Sequence, residues 1–72
     1  MKAENVTNQR DPEFFVAMTA RTAAWLNYYS ADLDAEQHPV RRNLRTARRY
    51  QKIAEKAESE YRSLAAERGY TI

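Results

Sequence analysis

The most regular pattern of apolar and polar positions lies in the second half of the chain, from Pro39 to Arg68. Between these two residues the segment contains neither Gly nor Pro, so nothing in it interrupts a helix. At 100° per residue, seven apolar or small side chains fall within an arc of about 100°. They are Ala47, Tyr50, Ala54, Ala57, Tyr61, Leu64 and Ala65. The spacing predicts one helix over residues 39–68 that packs through this arc.

A second helix is predicted over residues 12–32. Asp11 is a suitable N-cap, and Pro12 suits the first helical position because its missing N–H has no partner there. Between Phe14 and Ala31 the only ionised side chain is Arg21. Large side chains line one side, which we call the broad apolar face. It comprises Phe15, Met18, Thr22, Trp25, Leu26, Tyr29 and Leu33, with Phe14 at its edge.

The opposite side of this helix has little charge either, but its side chains are mostly small. It shows Val16, Ala17, Ala20, Ala23, Ala24, Asn27 and Ala31. A helix that is apolar around most of its circumference is usually covered on more than one side, and one neighbouring helix covers only one side. We therefore expect the Ala-rich side to meet a helix of a second chain. The alternative is that its Ala residues favour helix formation and face water.

The connection between the helices predicts their relative direction. Asp32 and Asp34 oppose the helix dipole and are expected to end the first helix. Pro39 disfavours helical geometry at His38, and a short loop at this point predicts an antiparallel hairpin. Gly69 is expected to end the second helix in the left-handed conformation. Residues 1–10 are polar and aperiodic, which predicts a flexible arm before a hairpin domain over 11–72.

The size of the chain predicts self-association. It has 72 residues and no Cys, and a domain this small usually needs a disulfide, a metal or a second copy for stability. The sequence therefore predicts an all-α antiparallel two-helix hairpin that dimerises into a four-helix bundle. We expect the largest apolar side chains to supply the core of this homodimer. They are Phe14, Phe15, Met18, Trp25, Leu26, Tyr29, Tyr50, Tyr61 and Leu64.

Charge is distributed unevenly, although the net charge is only +2. Seven basic residues lie opposite the packing arc of the second helix, and we call them the basic stripe. They are Arg41, Arg42, Arg45, Arg48, Arg49, Lys52 and Lys56. Within residues 41–56 only Glu55 is acidic. Like charges four residues apart, and cations at the positive end of a helix, are unfavourable, so the basic stripe predicts an acidic partner.

This pattern predicts a small non-catalytic protein–protein interaction module, an inhibitor or adaptor that binds an acidic surface of a partner protein. The main alternative is a nucleic-acid-binding protein that uses the basic stripe on phosphate. Tyr50 and Tyr61 lie in the packing arc, which disfavours base stacking on single strands. A structural assembly subunit is the second alternative. Membrane-surface binding is disfavoured because the apolar side of the basic helix is rich in Ala and Tyr.

The residues needed for catalysis are not evident. His38 is the only His and is predicted to lie in the loop, away from any nucleophile. With one Gly the chain has no Gly-rich phosphate loop, and we expect no enzymatic activity, metal or cofactor. The N-terminal residues lack the apolar run of a signal peptide. The longest apolar run, Phe14 to Met18, is too short to span a membrane. Together with the absence of Cys, these features predict a cytoplasmic protein.

In size, helical-hairpin layout and lack of catalytic residues, the chain is similar to the small inhibitors that phages and mobile elements use to block host proteins. Anti-CRISPR and anti-quorum-sensing proteins are examples. The similarity concerns architecture alone and implies an inhibitory function of phage or mobile-element origin. It assigns no role to any residue.

Overall fold

Two helices packed side by side form nearly the whole protein. The computed structural model describes all 72 residues. It contains a short 3-10 helix, Ala3–Asn5, followed by α1, Pro12–Gln37, and α2, Arg41–Arg68. The hairpin measures 44 × 17 × 16 Å. The predicted all-α helical hairpin is therefore confirmed.

The start of α1 and the end of α2 follow the predicted capping chemistry. Asp11 caps α1, because its Oδ1 accepts a hydrogen bond from the Phe14 N–H at 3.1 Å. At the end of α2, Gly69 has a φ of 74°, the left-handed conformation that Gly adopts without steric cost. The Tyr70 N–H then bonds the Ala65 carbonyl at 2.9 Å, which satisfies a carbonyl at the helix end.

The predicted end of α1 at residue 32 is wrong, because the helix continues to Gln37. Asp32 and Asp34 do not stop it. Ala31 and Ala35 pack against Ala47 of α2, and this contact outweighs the small dipole penalty of the acids. The predicted start of α2 at residue 39 is also shifted, since the helix begins at Arg41 after an extended Val40.

Small residues form the seam between the two helices. Ala24, Ala31 and Ala35 of α1 and Ala47 and Ala54 of α2 are buried. All seven residues of the predicted packing arc of α2 are buried or half-buried, so that arc is confirmed. Side chains this short let two helix backbones approach closely. The seam is therefore narrow and contains few large side chains.

The faces of α1 are arranged differently from the expectation. Ala24 and Ala31, from the side expected to meet a second chain, instead lie in the seam with α2. Four residues of the broad apolar face, Thr22, Leu26, Tyr29 and Leu33, are exposed. The packing arc of α2 is itself largely Ala, and small residues on both helices give the closest approach and the most dispersion contacts.

Residues 1–10 are not a flexible arm but part of the packed structure. Ala3 and Val6 are buried in a cluster with Phe14, Tyr61 and Ala65. The Ala3 N–H donates to the Thr71 carbonyl at 2.7 Å, and the Thr71 N–H donates to the Met1 carbonyl at 2.9 Å. Two isolated apolar residues are too few to produce a periodic signal. Residues 1–10 therefore cover the end of the hairpin at which the two termini meet.

The nine residues predicted for the core of the dimer differ widely in burial within one chain. Phe14 and Tyr61 are buried, Leu26 and Tyr29 are exposed, and the other five are half-buried. Ten residues of the hairpin are buried, and seven of these are Ala. A single hairpin thus buries few large side chains.

Candidate partner-binding surface

The basic stripe occupies the outer side of α2. All seven of its residues are exposed, because the opposite side of the same helix forms the seam with α1. From Arg41 to Lys56 the stripe extends about 22 Å at 1.5 Å per residue. Arg45, Arg48, Arg49 and Lys52 border one shallow surface groove. A partner would therefore meet an elongated, convex and strongly cationic surface.

The cations of the basic stripe have no ion-pair partner within the protein. Three other arginines, Arg21, Arg62 and Arg68, each form at least one salt bridge with a carboxylate. No residue of the basic stripe forms a salt bridge. The stripe also makes no ion pair with the nearby acids of the loop end. Its positive charge is thus available to an external anionic group.

Two exposed aliphatic side chains accompany the basic stripe, and the sequence reasoning did not single them out. Leu44 and Ile53 are about half exposed. On the helical wheel they lie outside the packing arc, one on each side of the stripe. Leu44 also borders a groove with Arg41, Arg45 and Arg48. Their sequence signal is that both are apolar residues of α2 that lie outside its packing arc.

The broad apolar face of α1 forms a second candidate surface. Trp25 stacks with Tyr29 at 5.8 Å between ring centroids and meets Tyr28 edge-on at 5.9 Å. Stacked and edge-on arrangements are the geometries that aromatic pairs prefer. Leu26 and Leu33 extend the face along the helix, and both are exposed. The face is therefore largely apolar, partly aromatic and exposed at Leu26, Tyr29 and Leu33.

Glu58 of α2 joins the two helices beside this face. Its Oε1 accepts hydrogen bonds from the Arg21 Nε at 2.7 Å and the Trp25 Nε1 at 3.0 Å. Its Oε2 accepts a bond from the Arg62 Nε at 2.8 Å. Burial disfavours the charged carboxylate, but the bonds from Arg21, Trp25 and Arg62 outweigh burial and lower the pKa of Glu58. Trp25 is thereby held in one orientation.

Another polar cluster lies where the termini meet. The Tyr70 hydroxyl and the Arg68 Nε both donate to Asp11 Oδ2, at 2.7 and 3.1 Å. The Tyr70 bond, together with the Phe14 N–H and Arg68, lowers the pKa of Asp11. The same bond raises the pKa of Tyr70, because the neutral hydroxyl donates to an anion. This cluster connects the start of α1 to the end of α2 and has a structural role.

The structure contains neither a metal-binding cluster nor a membrane-spanning helix. No three His, Asp or Glu side chains come together in a way that could hold a metal ion. Neither helix combines the length and the apolar character that crossing a membrane requires.

Comparison of the chain with models of protein families, with curated protein sequences and with solved structures finds no significant match.

Proposed function

We propose that this protein is a non-catalytic interaction module, an inhibitor or adaptor that binds an acidic surface of another protein through the basic stripe. The observation that supports the proposal is the set of seven exposed cations without an internal ion pair. Mutual repulsion along the helix is unfavourable for the free protein. An acidic partner would relieve this repulsion, and complementary charge also accelerates association.

Leu44 and Ile53 favour a protein over a nucleic acid as the partner. Both are exposed beside the basic stripe. Protein interfaces combine Arg with apolar side chains at the desolvated centre of the contact, whereas contacts to phosphate need only hydrogen-bond donors and positive charge. Tyr50 and Tyr61 lie on the packed side of α2, so they are not placed to stack on exposed bases.

Nucleic-acid binding is the second candidate, and the continuity of the basic stripe supports it. Seven cations lie along about 22 Å of one straight helix, and a helix of this kind fits the major groove of B-DNA, which is about 12 Å wide.

The two candidates, protein binding and nucleic-acid binding, differ in how their affinity responds to salt. Contacts to phosphate lose affinity with a log–log slope of about −0.9 per phosphate neutralised, while a protein interface with an apolar centre depends less on salt.

We propose further that two hairpins associate into a four-helix bundle. Seven of the ten buried residues are Ala, and Ala gains little free energy on burial compared with Leu or Phe. A second copy would bury the apolar surface that one hairpin leaves exposed.

Sedimentation at micromolar concentration tests the dimer. We expect twice the 8.4 kDa chain mass, and a folded species of 8.4 kDa would refute the dimer. A structural assembly subunit would form larger species still.

The test of the function compares three proteins in a pull-down from a lysate of the source cells, with and without nuclease. They are the wild type, the double variant Arg45→Glu/Arg49→Glu, and Arg10→Glu as the control. Arg10 is exposed, and its side chain forms no salt bridge. We expect the wild type and the control, but not the double variant, to retain one stoichiometric protein after nuclease treatment. Recovery of nucleic acid alone would favour the second candidate.

A further inference from the structure

The broad apolar face is an exposed apolar surface in the middle of α1. Thr22, Leu26, Tyr29 and Leu33 are exposed along it, and Trp25 is half-buried. Two surface grooves lie along this side of the protein, one lined by Trp25 and Tyr29 and the other by Met18 and Ile72. Both grooves are bordered by Arg21 and Thr22. The surface is therefore continuous from Tyr29 to the C-terminus.

We infer that the broad apolar face is the surface through which two copies of this chain associate, with their α1 helices antiparallel. The inference rests on the proposed dimer and specifies its interface. The alternative interface, the Ala-rich side of α1, has lost Ala24 and Ala31 to the seam with α2. The broad apolar face retains three large exposed side chains, Leu26, Tyr29 and Leu33, whereas the Ala-rich side retains one, Val16.

The charge of this face suits contact with its own copy. In a symmetric dimer, the same patch of both copies meets, so a charged patch near the axis repels itself. Arg21 and Glu58 border the groove beside Trp25 and form an ion pair at 2.7 Å, and Glu58 also pairs with Arg62 at 2.8 Å. Two cations and one anion therefore lie at this part of the face. A dimer formed through the basic stripe would instead place the seven cations of one copy against the seven cations of the other. Electrostatics therefore favours α1 over the basic stripe as the self-contact.

The available area matches what a dimer of this size requires. A side of the hairpin measures 44 by 17 Å, which is a projected area of about 750 Å² for both helices together. Stable protein interfaces bury about 800 Å² on each partner. Two hairpins must therefore pair along nearly their whole length, which produces a four-helix bundle and not a contact between tips.

The acids near the end of α1 determine the direction of pairing. Asp32 and Glu36 are exposed and form no salt bridge. Parallel copies would place these acids against each other and would align the two helix dipoles. Antiparallel copies separate these acids and place them near the other end of the partner's face, where Lys2 and Glu4 both border the groove beside Met18. Antiparallel pairing is therefore favoured.

A matched pair of substitutions tests the face. Leu26 and Val16 lie on α1 and are 62% and 64% exposed, but only Leu26 belongs to the broad apolar face. We expect Leu26→Asp to shift sedimentation from dimer to folded monomer and Val16→Asp to leave the dimer unchanged. A folded monomeric wild type would refute the proposed dimer itself. A dimeric wild type with an equally dimeric Leu26→Asp variant would overturn the face alone.

Cysteine crosslinking tests both face and direction, and it does not depend on the Leu26→Asp variant folding. The chain has no native Cys, so each introduced Cys is unique. The exposed part of the face runs from Thr22 to Leu33, so antiparallel copies that meet at its centre bring Thr22 of one copy near Leu33 of the other. We expect a mixture of Thr22→Cys and Leu33→Cys proteins to form mixed disulfides faster than either protein alone, with Val16→Cys as the unreactive control. Faster homodisulfides would overturn the antiparallel direction, and no disulfide at either position in a dimer would overturn the face.

Discussion

The two ends of the hairpin are held together by different kinds of side chain. Where the termini meet, Phe14 packs against Tyr61 and Tyr70 at ring-centroid distances of 5.3 and 4.8 Å. Residues 1–10 cover this cluster, and the Asp11 network connects the two helices beside it. Near the loop, the buried residues are Ala31, Ala35 and Ala47, with Tyr50 half-buried against them.

This difference separates stability from the candidate function. The end that contains the termini has the aromatic side chains whose burial contributes most free energy per residue. The basic stripe begins at the other end, next to the loop, where the core consists mainly of Ala. Repulsion among its cations therefore acts mostly at a distance from the aromatic cluster. We expect substitutions at the two ends to differ in their effect on stability.

The largest expected effect comes from Phe14→Ala. Phe14 is the one large side chain that is fully buried, and such truncations cost about 3–5 kcal/mol. A domain this small has about 3–5 kcal/mol of stability from its core, so the variant should be largely unfolded by circular dichroism. Val16→Ala, at an exposed position of the same helix, is the control. A cooperative thermal transition close to that of the wild type would contradict the importance of this cluster.

Two tyrosines on one side of α2 compare the ends directly. Tyr61 is buried among aromatic residues, whereas Tyr50 is half-buried near the loop. We expect Tyr61→Ala to lower the free energy of unfolding by about 3–4 kcal/mol and Tyr50→Ala by about 1–2 kcal/mol, because less apolar area is lost. Chemical denaturation of each variant, with the midpoint and the slope fitted together, measures both free energies of unfolding. Equal losses would show that the ends are equally stabilising.

A backbone effect is expected at Gly69. An added Cβ would meet no atom within 4 Å, so the cost of substitution comes from the φ of 74° and not from a clash. Gly69→Ala should cost about 1–2 kcal/mol, and Gly69→Asn less, since Asn tolerates this conformation better. Melting temperatures of the two variants rank them. An Ala variant as stable as the Asn variant would contradict this explanation.

Stability should also fall on acidification. The folded-state pKa values of Asp11 and Glu58 are lowered from ordinary values of 3.8 and 4.5. The stabilisation from these carboxylates is therefore complete above the ordinary values and is lost as the pH falls through them towards the folded-state values. Melting temperature should decrease from about pH 5 downward. Tyr70→Phe, which removes the largest cause of the Asp11 shift, should weaken this dependence, and an unchanged pH profile would contradict the assignment.

Much of the candidate site was predictable from local spacing. In α2, Arg and Lys positions alternate with Ala and Tyr positions at the period of a helix, which separates a basic side from an apolar side. This separation predicted both the packing arc and the exposure of the basic stripe. Binding through the stripe remains a prediction. Leu44 and Ile53 were not predicted, because two separate aliphatic residues form no periodic pattern of their own.

The sequence by itself determined the helical hairpin, the start of α1, the end of α2 and the orientation of α2. Each of these depends on neighbouring residues, through capping, the left-handed Gly69 or a clear amphipathic period. Only the tertiary structure decided which side of α1 meets α2, because both sides of α1 are apolar and the local pattern does not distinguish them. It also decided that α1 extends to Gln37 and that residues 1–10 pack over Phe14, since both depend on contacts between residues far apart in the chain. The close fit of Ala against Ala leaves Leu26, Tyr29 and Leu33 of α1 outside the seam.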